Sequence, residues 1–333
     1  MFSLERKFGA STVVTASYVG AKAHHLLALV EANPGNTALC LFLSNPANLM
    51  PGTAACGPFG ESSTYTTASG KVIRGTRAPF PAQFASVGYQ ETIANSDYNA
   101  LEVNLRHSSG PLELMVGYTR GKSIDNSSSL SEELNPLNYA LTRAPSAFDM
   151  RNNFVVSVQY ELPFARALGR PNRWTRGWEL SAVSRFSTGV AVTLYNNNDT
   201  SLLGTIPNAI NNNGVDTPNY TPGNLELNRN PRTGQAAFNT SLFSLPALGQ
   251  IGTADRRFFY GPGIENVDLG LIKNFALQES KVVQLRIEAF NALNHAQFYG
   301  PAAVDGNISS ANFGRIIAAA PPRLVQLALK FSF

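Results

Sequence analysis

Hydrophobic and polar positions alternate with a period of two through several stretches of this chain. In the last ten residues Val325, Leu327, Leu329, Phe331 and Phe333 fall on one side of an extended backbone, and Gln326, Ala328, Lys330 and Ser332 on the other. Successive strand side chains point to opposite faces, so such a stretch separates two different media. The same alternation sets Leu101, Val103 and Leu105 against Glu102, Asn104 and Arg106. It sets Val283, Leu285 and Ile287 against Gln284, Arg286 and Glu288. Phe154, Val156, Val158 and Tyr160 oppose Ser157, Gln159 and Glu161, while Trp178, Leu180 and Phe186 oppose Glu179, Ser181 and Arg185.

Turn residues divide the chain into about nine predicted strands: 2–8, 12–20, 97–107, 112–123, 149–162, 177–195, 265–275, 281–294 and 323–333. The connections between them alternate, short then long, with 163–176 intermediate. That rhythm, with alternating faces, predicts an all-β protein: an antiparallel transmembrane β-barrel with short periplasmic turns and long extracellular loops. If Phe333 lies on the periplasmic side, every short turn falls in the periplasm. Tyr18, Tyr118, Tyr160, Trp178 and Phe331 are expected near strand ends, where aromatic girdles sit. A soluble sandwich also alternates, but loops of some 60 residues fit poorly in a compact soluble domain.

Composition agrees. Only 14% of the residues are charged and 44% are hydrophobic, yet the mean hydropathy is -0.09, as alternation produces. No run of about 18 apolar residues exists to form a membrane helix. The net charge of +4 is scattered, so nucleic acid is not an expected partner. Residues 1–7 lack the apolar core of a secretory signal. A barrel requires export, so the chain is expected to be the C-terminal part of a longer protein. Nine strands also leave the first and last running in the same direction, whereas bacterial single-chain barrels have even strand numbers. The expected product is a curved, incompletely closed sheet with poorly packed loops.

Several motifs recur in a telling order: Ser96-Asp97-Tyr98-Asn99-Ala100-Leu101, Tyr118-Thr119-Arg120-Gly121-Lys122-Ser123, Phe148-Asp149-Met150-Arg151, Gly177-Trp178-Glu179-Leu180, Gly261-Pro262-Gly263, Asn266-Val267-Asp268, Lys273-Asn274-Phe275 and Arg286-Ile287-Glu288-Ala289-Phe290-Asn291-Ala292-Leu293-Asn294-His295. Together, with Phe313-Gly314 and Pro322-Arg323, they resemble the C-terminal barrel of Oar-like TonB-dependent outer-membrane transporters across almost the whole chain. The resemblance implies a partial barrel: about nine strands of a larger barrel of about 22, with the plug and N-terminal regions absent. It implies residence in the outer membrane of a Gram-negative cell. The implied partners are outer-membrane lipid, the barrel-assembly machinery and, through the missing plug region, a TonB-type energy-coupling protein. The implied activity is uptake of a large solute (an oligosaccharide, peptide or metal chelate). A surface-exposed structural or adhesive β protein, and a passive porin formed by oligomerisation, are the alternatives.

Candidate chemistry is sparse. No nucleophile–base set, phosphate loop or His-Glu-x-x-His motif occurs, so catalytic, cofactor-binding and metal residues are none. His24 and His25 are adjacent and point apart on an extended chain, which disfavours chelation. His107 reads as a strand-end residue, and His295 as a maker of turn hydrogen bonds. Polar candidates for a wet lumen are Glu102, Asn104, Arg106, Gln159, Glu161, Arg185, Asp268, Gln284, Arg286 and Glu288. Asp97, Asp125, Asp149, Asp268 and Glu288 are separate carboxylates that could pair there with Arg106, Arg151 or Arg286. Cys40 and Cys56 are a candidate disulfide in an oxidising compartment, with free thiols as the alternative; closing their loop is worth roughly 3 kcal/mol in the chain-entropy model. Phe331 and Phe333 are candidates for a C-terminal assembly signal. Asn-rich stretches at 196–199 and 211–214 suit capture of polar ligands and plain solvated loops equally.

Overall fold

The computed structural model describes residues 1–205, 215–228, 232, 234–278, 281–300 and 302–333; the stretch 211–214 lies outside them. Nine long strands pair in chain order into one antiparallel sheet: β1 Phe2–Phe8, β2 Thr12–Glu31, β3 Gly88–Ser109, β4 Leu112–Asp125, β5 Asn152–Glu161, β6 Trp178–Ser187, β7 Ile264–Gln278, β8 Lys281–Phe290 and β9 Leu324–Ser332. Two-residue strands extend the sheet, Glu133–Leu134 beside β2 and Ala144–Pro145 beside β4. Among the described residues the outer edges of β1 and β9 have no partner strand, so the sheet is open.

The register carries the alternation across the sheet. Leu112, Tyr160, Leu180, Leu271, Ile287 and Leu327 lie side by side on successive strands. One residue along, Glu113, Gln159, Ser181, Gly270, Glu288 and Gln326 do the same on the opposite face. Leu180 is 38% exposed and Leu327 71%, so the apolar row has no protein cover. Water there would oppose the hydrophobic effect; hydrocarbon would not.

Several strands end elsewhere than the pattern predicts. β2 and β3 run about ten residues past the expected 12–20 and 97–107. A bulge hides the continuation: the register shifts between Ala23 and Leu26, and His25 sits at φ 57°. One extra residue breaks the period of two. Tyr18 and Tyr118 sit within β2 and β4 rather than at their ends, whereas Tyr160, Trp178 and Phe331 lie toward the short-turn end. β6 stops at Ser187, short of 195, and β8 stops at Phe290 because Asn291 and Asn294 turn the chain at φ 49° and 51°.

The loops are not poorly packed; they hold the protein's core. Val192, Leu194, Phe238, Phe243, Phe259 and Val304 form one buried cluster. The Phe238 ring lies 4.8 Å from Phe259 and 5.5 Å from Phe243, and such pairs add to simple area burial. A second cluster joins Cys40, Leu43, Leu49, Cys56 and Tyr65 of the first long loop to Leu202 of the third. The pattern missed this because the helix Thr37–Ser44 and strands of two or three residues, such as Thr64–Thr66 and Phe243–Ser244, are too short to show a period.

Candidate functional site

All ten polar candidates fall on one face of the sheet. Glu102, Asn104 and Arg106 stand beside Thr119, Gly117 and Met115 of β4, and the ladder then runs through Gln159, Glu161 and Arg185 to Asp268, Gln284, Arg286 and Glu288. Two of the expected ion pairs are present: Arg286 lies 3.0 Å from Glu288 and Arg151 lies 3.4 Å from Asp149. The others are not. Asp97 points to the opposite face and pairs with Arg143 and Lys22. Asp125 is buried against Arg256, 3.3 Å away. Asp268 accepts from Asn266 Nδ2 at 2.9 Å and Asn291 N at 2.8 Å. Arg185 donates to Asn153 Oδ1 at 3.0 Å. The face is thus polar with small local pairings rather than a charged chain.

The histidines are structural. His24 Nδ1 lies 2.6 Å from Asn95 Oδ1, and His25 Nδ1 lies 3.2 Å from Thr92 O, both at the bulge. His107 Nδ1 lies 2.8 Å from Thr12 Oγ1, and His295 closes a turn with Asn291. No group of three or more His, Cys, Asp or Glu among the described residues is arranged to hold a metal ion. The sulfurs of Cys40 and Cys56 are bonded, with their Cα atoms 5.4 Å apart.

Charge that sequence reading missed sits inside the loop layer. Glu132 forms an ion pair with Arg256, 2.7 Å from Nη1, and accepts from Arg257, and Arg257 Nε donates to Thr193 Oγ1 at 2.8 Å. All three are buried. Burial, then the neighbouring Arg257 charge, draw Arg256 down to about 10, which leaves it cationic at neutral pH. The available signal was the doublets Glu132-Glu133 and Arg256-Arg257, conspicuous in a chain so poor in charge. Glu31, Glu61, Glu133, Asp199 and Asp216 are also buried. Burial, with the nearby Glu31 charge, pushes Glu133 up to about 8; burial and a hydrogen bond with Glu61 push Asp199 up to about 7.

A cavity of about 580 Å³ opens where the loops meet the upper ends of β5, β6 and β7. Arg151, Tyr260, His295, Phe186, Leu227 and Phe298 are among its lining residues. Tyr260 donates to Asp149 Oδ2 at 2.6 Å and accepts from Arg151 Nε at 2.5 Å. Burial first, and then the Asp149 hydrogen bond, raise its hydroxyl to about 12, so it remains a donor. The cavity joins apolar walls to a fixed phenol and guanidinium, a combination that suits binding.

An open antiparallel sheet with one bare apolar face, one polar face and long packed loops at one end is the architecture of an outer-membrane β-barrel domain. Residues 1–326 match the family model described as outer membrane beta barrel domain, and the chain belongs to that family. Its place is the outer membrane. Among solved structures, the outer membrane transporter YddB from Escherichia coli aligns with TM-score 0.47 and 10% identity, over 99% of this chain and 32% of that one. The FpvAI–pyocin S2 complex aligns with TM-score 0.37 and 12% identity, over 99% of this chain and 33% of that one. FpvA of P. aeruginosa, in complex with a heterologous pyoverdine and iron, aligns with TM-score 0.34 and 10% identity, over 99% and 32%. The chain spans about a third of the length of these proteins. No curated protein matches it.

Proposed function

We propose that this chain is the barrel segment of a TonB-dependent receptor for a large solute, and that it binds and passes solute rather than catalysing a reaction. The supporting observation is the continuous polar face, crossing from β3 to β8, beneath a packed loop layer with a ligand-sized cavity. The loops meet solute first; the polar face lines the route behind them. A plug and an energy-coupling protein, both supplied from outside this chain, provide gating, and the barrel-assembly machinery inserts the strands. Phe331, on the apolar face of β9, and Phe333 are part of the assembly signal. The solute is an oligosaccharide, a peptide or a metal chelate.

The test uses cells making the full protein that carries this chain. Uptake of labelled members of the three solute classes is followed with and without an uncoupler. Saturable uptake of one class that the uncoupler abolishes supports the proposal. Uptake that persists unchanged without the proton gradient would overturn it in favour of a passive pore.

A further inference from the structure

Three connections at the short-turn end join close strand pairs: residues 9–11 and 110–111 are tight links, and Gln278 of β7 is the register partner of Lys281 of β8. The fourth, residues 162–177 between β5 and β6, is much longer. It carries Arg166, Arg170, Arg173 and Arg176 and no acidic residue. All four arginines are exposed, and the ion pairs among the described residues lie elsewhere.

This segment is fixed against the apolar face. Trp178 and Lys273 are register partners there, with Phe275 two residues on. The Trp174 ring packs edge-on to Phe275 at 5.5 Å and the Phe164 ring to Trp178 at 6.1 Å. Trp178 Nε1 donates to Trp174 O at 2.8 Å. Lys273, itself buried, donates to the carbonyls of Arg173 (2.8 Å) and Arg176. Gly177 lies so near β7 that a Cβ there would come 2.5 Å from Asn274 O. Aromatic rings at the rim of an apolar belt mark the headgroup level of a bilayer, and a cluster of arginines beside them attracts anionic headgroups. Guanidinium groups match phosphate oxygens in a bidentate fashion.

We infer that residues 162–177 form a headgroup site for anionic phospholipid of the periplasmic leaflet, with the arginines on phosphate and the aromatic cluster against the acyl boundary. The inference rests on the membrane-spanning reading of the sheet.

Of the chain's two tryptophans, Trp174 lies in this segment and Trp178 directly follows it at the start of β6, so tryptophan fluorescence reports on this site alone. The full chain is reconstituted in phosphatidylcholine vesicles holding equal fractions of either brominated phosphatidylglycerol or brominated phosphatidylcholine. Preferential quenching by the brominated phosphatidylglycerol is expected. Each arginine removed should lower that lipid's excess occupancy roughly five-fold. Equal quenching by both lipids overturns the inference while leaving the membrane reading intact. Quenching by neither refutes the membrane reading itself. Loss of the preference in inorganic phosphate, but not in sodium chloride of the same ionic strength, overturns the lipid assignment in favour of a free-phosphate site. The wild-type comparison needs no variant, so a folding defect in one cannot mask the answer.

Discussion

Replacing Glu132 by Gln should loosen the loop layer far more than a surface change would. Glu132 is 1% exposed, and one of its oxygens serves both Arg256 and Arg257. The variant removes one negative charge from a buried group of two arginines and two carboxylates, the second being Asp125. Arg257 is then left with neutral acceptors, among them Thr193 Oγ1 at 2.8 Å and Ser128 Oγ at 3.3 Å. Breaking a buried pair this way costs about 3–5 kcal/mol, because it leaves an uncompensated charge. Read as local opening, that cost lowers amide hydrogen-exchange protection around 125–134 and 192–194 by roughly a hundred- to several-thousand-fold. The double variant Glu132→Gln/Arg257→Met removes one charge of each sign and should recover most of the loss. Exchange in the single variant within a few-fold of wild type, or a double variant as open as the single, would refute the argument.

Three further outcomes follow from the same structure. Glu133 at about 8 and Asp199 at about 7 hold protons more tightly folded than unfolded, so loop stability should fall as pH rises from about 4 to 8 and level off above, as sign-matched linkage requires; protease sensitivity of the loops across that range checks it, and Glu133→Gln should flatten part of the slope. Replacing Cys40 and Cys56 by Ala should cost up to roughly 3 kcal/mol of local stability, read as faster thermolysin cleavage between them with strand pairing unchanged. Ile287→Arg, on the bare apolar face between Leu271 and Leu327, should cost about 2–4 kcal/mol in a bilayer, measured by urea titration in vesicles, whereas Glu288→Gln on the other face should cost little.

The sheet was legible because its physics is periodic: a strand between two media must alternate, and Gly and Pro mark where it turns. Nine strands and ten residues of one face follow from that pattern. The continuation of β2 was hidden by two register shifts, one on each side of Leu26, which break the period. The loop core was not legible. Phe238, Phe243 and Phe259 are gathered by loop backbone with only a two-residue strand at Phe243–Ser244, and Glu132 meets Arg257 across 125 residues. Such contacts depend on where the chain returns in space, which local pattern does not encode. The cavity was equally hidden, since Arg151 and Tyr260 come from separate loops.

The first and third long loops are interlocked: Leu202 packs among Cys40, Leu43 and Tyr65, Arg77 donates to Gly204 O at 3.0 Å, and Asp199 accepts from Phe59 N at 2.9 Å. Arg256 and Arg257 of the third loop are in turn held by Glu132 of the second, so the three long loops form one transplantable unit. A chimaera that grafts residues 32–87 alone onto a related scaffold strands half of each contact, so specificity engineering in this protein has to exchange all three at once.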